Sequence, residues 1–101
     1  MRVISRSTLL AFWSNHTNSK SALEAWFWEA RHATWHSPND IKAAYKTASF
    51  LIDNRVVFNI KGNDYRLVVK VHYANDSFEG AVYIRFIDTH AEYDKINAEK
   101  I

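Results

Sequence analysis

Cysteine is absent from the 101 residues of this chain. The chain therefore has no disulfide framework and no thiolate metal site. This composition fits a protein that folds in a reducing compartment, and we expect a cytoplasmic location. Internal repeats and low-complexity segments are missing as well, and the length is typical of one domain. We therefore expect a single domain over residues 1–101.

Long hydrophobic segments are also missing. The first residues, Met1–Arg6, lack the apolar run of a signal peptide, and no stretch approaches the length of a membrane span. The formal net charge is only +2, with a pI of about 9.0. A balance this close to neutral does not by itself indicate nucleic acid as a partner. Any functional inference therefore depends on where the charges lie.

Apolar and aromatic residues, by contrast, are abundant. Hydrophobic residues make up 48% of the chain and aromatic residues 15%, with four tryptophans, which is typical of a globular protein with a core of its own. Trp28 falls off the apolar stripe of a predicted helix, and Trp35 lies near the end of that helix. We expect both rings to cover the edge of the core, and the alternative is a surface for a protein partner.

The most regular stretch of the sequence is Asn63–Tyr73. It follows Gly62–Asn63, a pair that tolerates the positive φ of a tight turn. Apolar residues at 67, 69, 71 and 73 then alternate with Arg66, Lys70 and His72. This period of two predicts a strand with one face in a core and a row of cations on the other face.

The remaining pattern predicts an α+β fold. Apolar periodicity indicates, in chain order, a strand at 2–5, a helix from Ser7, a helix from a capping box at Ser21–Glu24, a short helix over 39–45 behind Ser37–Pro38, a brief strand at 49–51, strands at 55–61, 63–73 and 81–89, and a helical turn over 90–96. Because helices and strands are segregated, the last three strands should form an antiparallel sheet with the first strand at its edge. We expect the N-terminal helices to pack on one sheet face and the opposite face to stay open.

Cationic and titratable side chains collect on that open face. Alternation over 81–89 puts Val82, Ile84 and Phe86 in the core, and Arg85 and Ile87 on the open face. The whole set comprises Asn59, Lys61, Arg66, Lys70, His72 and Arg85, followed by His90 and Tyr93 on one side of the terminal turn. Most acidic residues fall elsewhere, although Asp64 and Asp88 lie nearby. The small net charge therefore hides a basic surface.

This set of side chains suits a phosphate backbone and metal-free chemistry on RNA. Arginine offers a fork to phosphate oxygens, and histidine or tyrosine can stack on an exposed base. The chain has no cysteine and no Asp/Glu cluster, so we expect neither a metal site nor a cofactor. RNA carries its own nucleophile, the 2′-hydroxyl, and His90, Tyr93 and the Lys/Arg set could supply base, acid and cations. An ordinary solvated strand face is the plainer alternative.

Three stretches of the sequence resemble the HigB toxins of the RelE superfamily. They are Trp35–Lys42, Val57–Val68 and Val82–Ile96, which include the spaced elements N-x-x-x-N-x-x-R and I-R-x-x-x-T-H-x-x-Y. The resemblance implies the toxin of a type II toxin–antitoxin system, an mRNA interferase that cuts mRNA, commonly on the translating ribosome. It also implies a small RelE-like α+β fold and a HigA-like helix-turn-helix antitoxin as partner.

Carried over by position, the resemblance assigns roles to residues of the basic face. Arg66 and Arg85 would stabilise the transition-state phosphate, and His90 and Tyr93 would be the acid/base and stacking candidates. The residues expected to contact RNA are Asn59, Lys61, Asn63 and Lys70. The expected partners are mRNA, the ribosome and the antitoxin, and no membrane. The same face also fits a non-catalytic RNA- or ribosome-binding module, and the two marginal tryptophans leave a structural partner protein as a third reading.

Overall fold

One five-stranded sheet is the framework of the protein, and the computed structural model describes all 101 residues. Its strands are β1 (Arg2–Ile4), β2 (Ser49–Phe50), β3 (Arg55–Ile60), β4 (Tyr65–His72) and β5 (Ala81–Thr89). They lie in the order β1-β5-β4-β3-β2 across the sheet. Strands β2 to β5 pair with their neighbours in the chain, and each of these pairs is antiparallel.

Three helices cover one face of this sheet, and a fourth follows β5 at the other face. They are α1 (Arg6–Asn15), α2 (Lys20–His32), α3 (Pro38–Ala44) and α4 (His90–Tyr93). The main core joins Leu9 of α1, Trp26 of α2 and Ile41 of α3 to the inward side chains of the sheet, among them Phe58 and Leu67. The predicted α+β class, with N-terminal helices on one sheet face, is therefore confirmed. None of the helices is long and apolar enough to cross a membrane.

The pairing of β1 with β5 is the one parallel pairing in the sheet. Arg2–Ile4 lies opposite Ala81–Tyr83 of β5, at the edge of the sheet. The predicted edge position is confirmed, and the sheet is mixed rather than wholly antiparallel. Parallel neighbours need a long connection, and the chain between β1 and β5 contains three helices and three strands.

The start of α2 differs from the prediction. A 3₁₀ turn over Thr17–Ser19 leads directly into Lys20, the first residue of α2. Ser19 makes no side-chain cap, and its hydroxyl donates instead to the His16 carbonyl oxygen at 2.6 Å. The predicted capping box at Ser21–Glu24 is wrong because the 3₁₀ turn brings the chain into the helix before Ser21. The start of α3, with proline directly after a serine, is as predicted.

Two tight turns shape the strands of the sheet. Between β3 and β4, positive φ falls on Lys61 (53°) and Gly62 (64°), so the predicted turn is confirmed but Asn63 does not take the left-handed backbone. Between β2 and β3, Asp53 and Asn54 both have positive φ, 58° and 59°. Paired left-handed residues match the twist of a two-residue hairpin, and Asp and Asn adopt that backbone more readily than most residues. The sequence pattern predicts a brief strand at β2 but not this hairpin.

A β-bulge in β5 changes which side chains face the core. The pairing of β5 with β4 shifts between Val68 and Val69, which leaves Arg85 as the extra residue. Beyond the bulge, Ile87 lies in the main core and Phe86 packs on the opposite face. The predicted core position of Phe86 and the predicted outward position of Ile87 are therefore wrong, because strict alternation ends at a bulge.

The sheet face away from α1 and α2, here called the outer face, is not open along its whole length. The segment Ile96–Ile101, here called the C-terminal segment, lies across its middle. Ala98 of this segment is buried against Val57 and Val68. Partly buried side chains complete this second apolar cluster: Leu51, Phe86, Tyr93, Ile96 and Ile101. The prediction of an open face is therefore wrong for the middle of the sheet and holds only for its two ends.

The two marginal tryptophans differ in their surroundings. Trp35 is buried in the main core, with its ring stacked 6.2 Å from that of Phe58. Trp28 is 64% exposed, and its ring lies on that of His32, with 3.9 Å between the centroids. The prediction that Trp35 covers the core is confirmed, whereas the same prediction for Trp28 is wrong.

Candidate functional site

An apolar row divides the outer face into two polar ends. Val57 pairs with Val68, and Val68 pairs with Phe86. The C-terminal segment packs on these three side chains. Residues two apart along a strand lie about 7 Å from each other, so the polar rows begin about that far to either side. The continuous row of cations predicted from the sequence is therefore interrupted.

One polar end adjoins α4 and is here called the α4 end. The side chains of its strand row, which are neighbours in register, are Asn59, Arg66 and Asp88. The main-chain N–H of His90, the first residue of α4, donates to the Asp64 carbonyl oxygen at 3.2 Å. This bond joins α4 to the β3–β4 turn, which presents Lys61 and Asn63. Residues that are far apart in the sequence therefore meet at one end of the sheet.

Arg66 is the central cation of the α4 end, and it has no carboxylate partner. Its half-buried guanidinium makes two long hydrogen bonds, to the carbonyl oxygens of Asn63 at 3.4 Å and Tyr65 at 3.5 Å. The carboxylate of Asp88 accepts instead from the main-chain N–H of Thr89 at 2.8 Å. A guanidinium held by neutral oxygens keeps its charge available for an external anion.

The helix α4 begins two residues after Asp88, the register neighbour of Arg66, and carries His90 and Tyr93 at the same end of the sheet. Thr89 caps the helix, because its hydroxyl oxygen accepts a main-chain N–H at 3.2 Å. The side chain of His90 is 50% exposed, and its Nε2 lies 3.5 Å from an Asp94 carboxylate oxygen. Tyr93 is half-buried, with its ring 6.3 Å from that of Phe86. Imidazole and phenol are both side chains that can serve as a general acid or base.

The other predicted RNA contacts of this end are weakly engaged. Lys61 and Asn63 are exposed, and the Lys61 ammonium lies 3.8 Å from an Asp64 carboxylate oxygen, beyond hydrogen-bond length. Asn59 is half-buried, and its amide nitrogen approaches the Thr47 carbonyl oxygen at 3.5 Å. All three side chains therefore keep hydrogen-bonding capacity for a ligand.

Arg85 lies between the two polar ends rather than beside Arg66. As the extra residue of the bulge it follows the row of Tyr83 and precedes the row of Phe86. Its side chain is exposed and forms no ion pair. Bulges commonly redirect a side chain near a functional site. Register therefore separates Arg85 from Arg66 by the apolar row, and the length of the side chain decides how closely the two guanidinium groups approach.

The opposite end, here called the Arg55 end, has cations that are already paired. One Asp53 carboxylate oxygen lies 3.1 Å from the Lys70 ammonium and 3.0 Å from the Arg55 guanidinium. The hydrogen bond from Lys70, followed by that from Arg55, lowers the pKa of Asp53. Arg55 is a buried residue, and its Nε also donates to the main-chain oxygen of Ile101 at 2.7 Å. Lys70, a predicted RNA contact, therefore lies about 13 Å along β4 from Arg66 with its charge partly neutralised.

The surface around the α4 end is open rather than a cleft. Two surface cavities, of about 480 and 540 Å³, both border Met1, Arg31 and Glu79 and include no residue of the outer face. No three side chains of His, Asp or Glu lie close enough together to hold a metal ion. His72 is exposed at the far end of β4, where its ring meets that of Tyr83 edge-on at 5.0 Å. The α4 end thus has the shape of a platform for an extended ligand.

Sequence reasoning missed the Asp53–Arg55 pair and the C-terminal segment as parts of this surface. A signal for the second was present, because Val57 and Val68 are apolar at positions that alternation assigns to the outer face. Apolar residues on both faces of a strand indicate that something covers the second face. The apolar Ile96, Ala98 and Ile101 were the residues available to do so.

Comparison with protein families gives one match. The family model is described as HigB_toxin, RelE-like toxic component of a toxin–antitoxin system, and it matches residues 19–96. This range extends from the last residue of the 3₁₀ turn through α4 and includes every predicted site residue. No individual curated protein matches the chain.

Proposed function

We propose that this chain is an endoribonuclease that cleaves mRNA without a metal ion. The chain belongs to the HigB family of RelE-like toxins, the toxic components of toxin–antitoxin systems. The proposed site of action is the translating ribosome in the cytoplasm, where cleavage stops protein synthesis and growth. The observation that carries the proposal is the α4 end, where an unpaired guanidinium shares one end of the sheet with an exposed imidazole and a phenol.

The proposed reaction uses the 2′-hydroxyl of the RNA as nucleophile. One of His90 and Tyr93 removes the proton of that hydroxyl while the oxygen attacks the adjacent phosphorus. The bond from phosphorus to the 5′-oxygen breaks, and the other residue donates a proton to the departing oxygen. Arg66 and Arg85 stabilise the extra negative charge on the phosphate. The products are a 2′,3′-cyclic phosphate and a 5′-hydroxyl.

Residues around the reacting phosphate hold the RNA in the proposed complex. Asn59, Lys61 and Asn63 contact the strand close to the scissile bond, and Lys70 contacts a phosphate farther along β4. The open platform supports this arrangement, because an extended strand needs a surface longer than a pocket. Asp94, with a carboxylate oxygen 3.5 Å from the His90 Nε2, orients the ring.

A non-catalytic RNA- or ribosome-binding module is the second candidate. The observation that favours it is the absence of a cavity at the α4 end, since binding without cleavage needs no enclosed site. Both candidates use the same cations, so affinity for RNA does not separate them. The chemistry of new RNA ends does.

The test follows mRNA on translating ribosomes by mapping new 5′ ends and identifying their end groups. Wild-type protein should produce ends with a 5′-hydroxyl and a 2′,3′-cyclic phosphate. His90→Ala, Tyr93→Phe and Arg85→Ala should each relieve growth arrest and reduce these ends, while His32→Ala on α2 should not. Binding without new ends favours the module. Products with a 5′-phosphate and a 3′-hydroxyl contradict the 2′-hydroxyl mechanism.

The proposed partner that neutralises the toxin is a helix-turn-helix antitoxin of the HigA type. A toxin of this kind needs its antitoxin produced beside it, and the reading frame next to the toxin's is the place to look. Co-expression of that frame should restore growth and give a complex that co-purifies with the toxin. A neighbouring frame that does neither removes this part of the proposal.

A further inference from the structure

The helix that presents His90 and Tyr93 is too short to be stable alone. Its single turn, His90–Tyr93, is followed only by a turn at 94–95. A first helical turn fixes several backbone dihedrals for one hydrogen bond, so isolated turns of this length do not persist in water. The threonine cap and the bond from His90 to the β3–β4 turn hold its start. Its end must be held by contacts outside the helix.

The C-terminal segment makes those contacts. Tyr93, the last residue of α4, belongs to the same apolar cluster as Ile96 and Ala98. Ala98 is 8% exposed and packs on Val57 and Val68 in the middle of the sheet. The apolar contact is therefore continuous from the end of α4 to the middle of β3 and β4.

The far end of the segment is held by Arg55. The Nε of this arginine donates to the main-chain oxygen of Ile101 at 2.7 Å, and its guanidinium lies 3.0 Å from the Asp53 carboxylate. Asp53 is in turn bound by Lys70 at 3.1 Å. Arg55 itself is only 8% exposed, so its charge serves these internal bonds and is not accessible to RNA. A buried arginine needs such partners, and here one of them is the segment itself.

We propose that the C-terminal segment clamps α4 against the sheet and that Arg55 is the positioning residue that closes this clamp. The functional part of the inference rests on the proposed ribonuclease activity, because the clamp acts by holding His90 and Tyr93 in place. Arg55 touches neither of these side chains, so its effect passes through the segment. Loss of its bond to Ile101 frees one end of the segment, exposes the second cluster and lets the end of α4 open.

Hydrogen exchange tests the clamp without any RNA. The amides of Asp94, Lys95 and Ile96 donate to the carbonyl oxygens of residues 90, 92 and 93 at 3.0, 3.1 and 3.2 Å, and they report opening of the turn. In Arg55→Met, which keeps an apolar side chain of similar length, these amides should exchange about tenfold faster than in wild type, whereas amides inside β4 should not change. Ala98→Asp, at the middle of the segment, should have the same local effect.

Two controls separate the clamp from general destabilisation. Lys100→Ala changes an exposed side chain of the same segment and should leave exchange at 94–96 unchanged. Ile41→Val removes one methyl group from the main core on α3 and should lower the melting temperature without selective exchange at 94–96. Unchanged exchange at 94–96 in both Arg55→Met and Ala98→Asp overturns the inference. So does equally faster exchange in Ile41→Val.

Kinetics then test whether the clamp serves the reaction. In Arg55→Met, kcat for mRNA cleavage should fall about tenfold, while affinity for an uncleavable 2′-deoxy analogue should stay within about twofold of wild type. Arg55→Lys should recover part of the rate, because lysine keeps a donor that reaches one of the two acceptors. A parallel loss of rate and affinity places Arg55 in RNA binding and contradicts the positioning role. If wild type cleaves no RNA, the proposed function fails, and the exchange data still decide the clamp.

Discussion

Two arginines on neighbouring strands of one sheet face differ in their burial and in their bonding partners. Arg55, in β3, is 8% exposed and bound to Asp53 and Ile101. Arg66, in β4, is half-buried and makes only long hydrogen bonds to neutral carbonyl oxygens. Both fall on the polar side of an alternating pattern. The difference comes from what covers each end of the sheet, and it separates a structural cation from one that is available to a ligand.

The same contrast extends to the charges around each arginine. At the Arg55 end one carboxylate pairs with two cations, so both cations are engaged within the protein. At the α4 end the Asp88 carboxylate accepts a hydrogen bond from the main-chain N–H of Thr89, and no ion pair neutralises Arg66. An external phosphate can therefore pair with Arg66 without displacing a carboxylate. The predictions below test this asymmetry, and the largest expected effect comes first.

The two exposed histidines of β4 and α4 give the sharpest contrast. His90→Ala should lower the rate of mRNA cleavage by about 10²–10⁴-fold, because it removes a group that transfers a proton. His72→Ala, at the far end of the sheet, should change the rate by less than about twofold. Rates of end formation on translating ribosomes measure both. A comparable loss in His72→Ala would mean that the reaction is not confined to the α4 end.

The cations of the two ends should differ by a smaller factor. Arg66→Ala should lower kcat/KM by about 10²–10³-fold, since a donor that stabilises the transition-state phosphate is lost. Lys70→Ala should weaken RNA binding by only about threefold, because its ammonium is partly neutralised by Asp53. Single-turnover kinetics and binding of a 2′-deoxy analogue measure the two effects.

A matched control belongs to the arginine experiment. Arg66→Lys keeps the charge but loses the guanidinium fork, so it should recover only part of the rate. The melting temperature of Arg66→Ala should remain close to that of wild type, because the side chain has no ion pair to lose. An Arg66→Ala protein that is active but less stable would reverse the roles of the two ends.

The smallest effect should be a pH dependence of stability at the Arg55 end. Hydrogen bonds from Lys70 and Arg55 lower the pKa of Asp53 in the folded protein, so its stabilising contribution is present above the ordinary pKa of about 3.9 and is lost as the pH falls through the folded value. Asp53→Asn keeps a residue suited to the left-handed turn while removing this charge. Wild type should therefore melt higher than Asp53→Asn at pH 7, and the difference should shrink as the pH falls below the ordinary pKa of an aspartate.

The outcome of this experiment at acid pH is decisive for the ion pairs. Thermal melting of both proteins across the acid range gives the comparison directly. A difference that persists unchanged below the ordinary pKa would mean that the Asp53 carboxylate adds nothing through its charge. The Arg55 end would then be held by its apolar contacts and by the hydrogen bond from Arg55 to Ile101.

Much of the fold follows from local patterns. The strict alternation of Leu67, Val69 and Val71 predicts their burial in the main core, and each of them is fully buried. The helical spacing of Leu23 and Trp26 does the same for α2. Such patterns succeed because one face of each element is buried continuously and repeats at the period of its backbone.

Local patterns fail where one residue breaks the period. At Arg85 the bulge exchanges the faces of Phe86 and Ile87, and no short-range signal in the sequence marks it. At Ser21 a capping motif exists in the sequence, but the preceding 3₁₀ turn starts the helix earlier. In both cases the contacts of a neighbouring element outweigh a local preference worth about 1 kcal/mol.

For the candidate site, the sequence named the residues but did not give their arrangement on the sheet. His90, Tyr93 and Arg66 are brought to one end, as the sequence pattern and the family resemblance imply. Lys70 lies at the other end, and Arg85 falls between the two. Alternation assigns a face to each residue but does not say which stretch of that face another segment covers.

The amino-acid sequence by itself therefore determined three properties. They are the order of helices and strands, the apolar face that enters the main core and the polar residues of the outer face. These properties depend on neighbours two to four positions away, which the sequence displays directly. Only the tertiary structure decided which cations remain free, because a segment that follows α4 returns to cover Val57 and Val68 and to bind Arg55. Burial and pairing depend on residues distant in the chain, and they separate the structural Arg55 from the accessible Arg66.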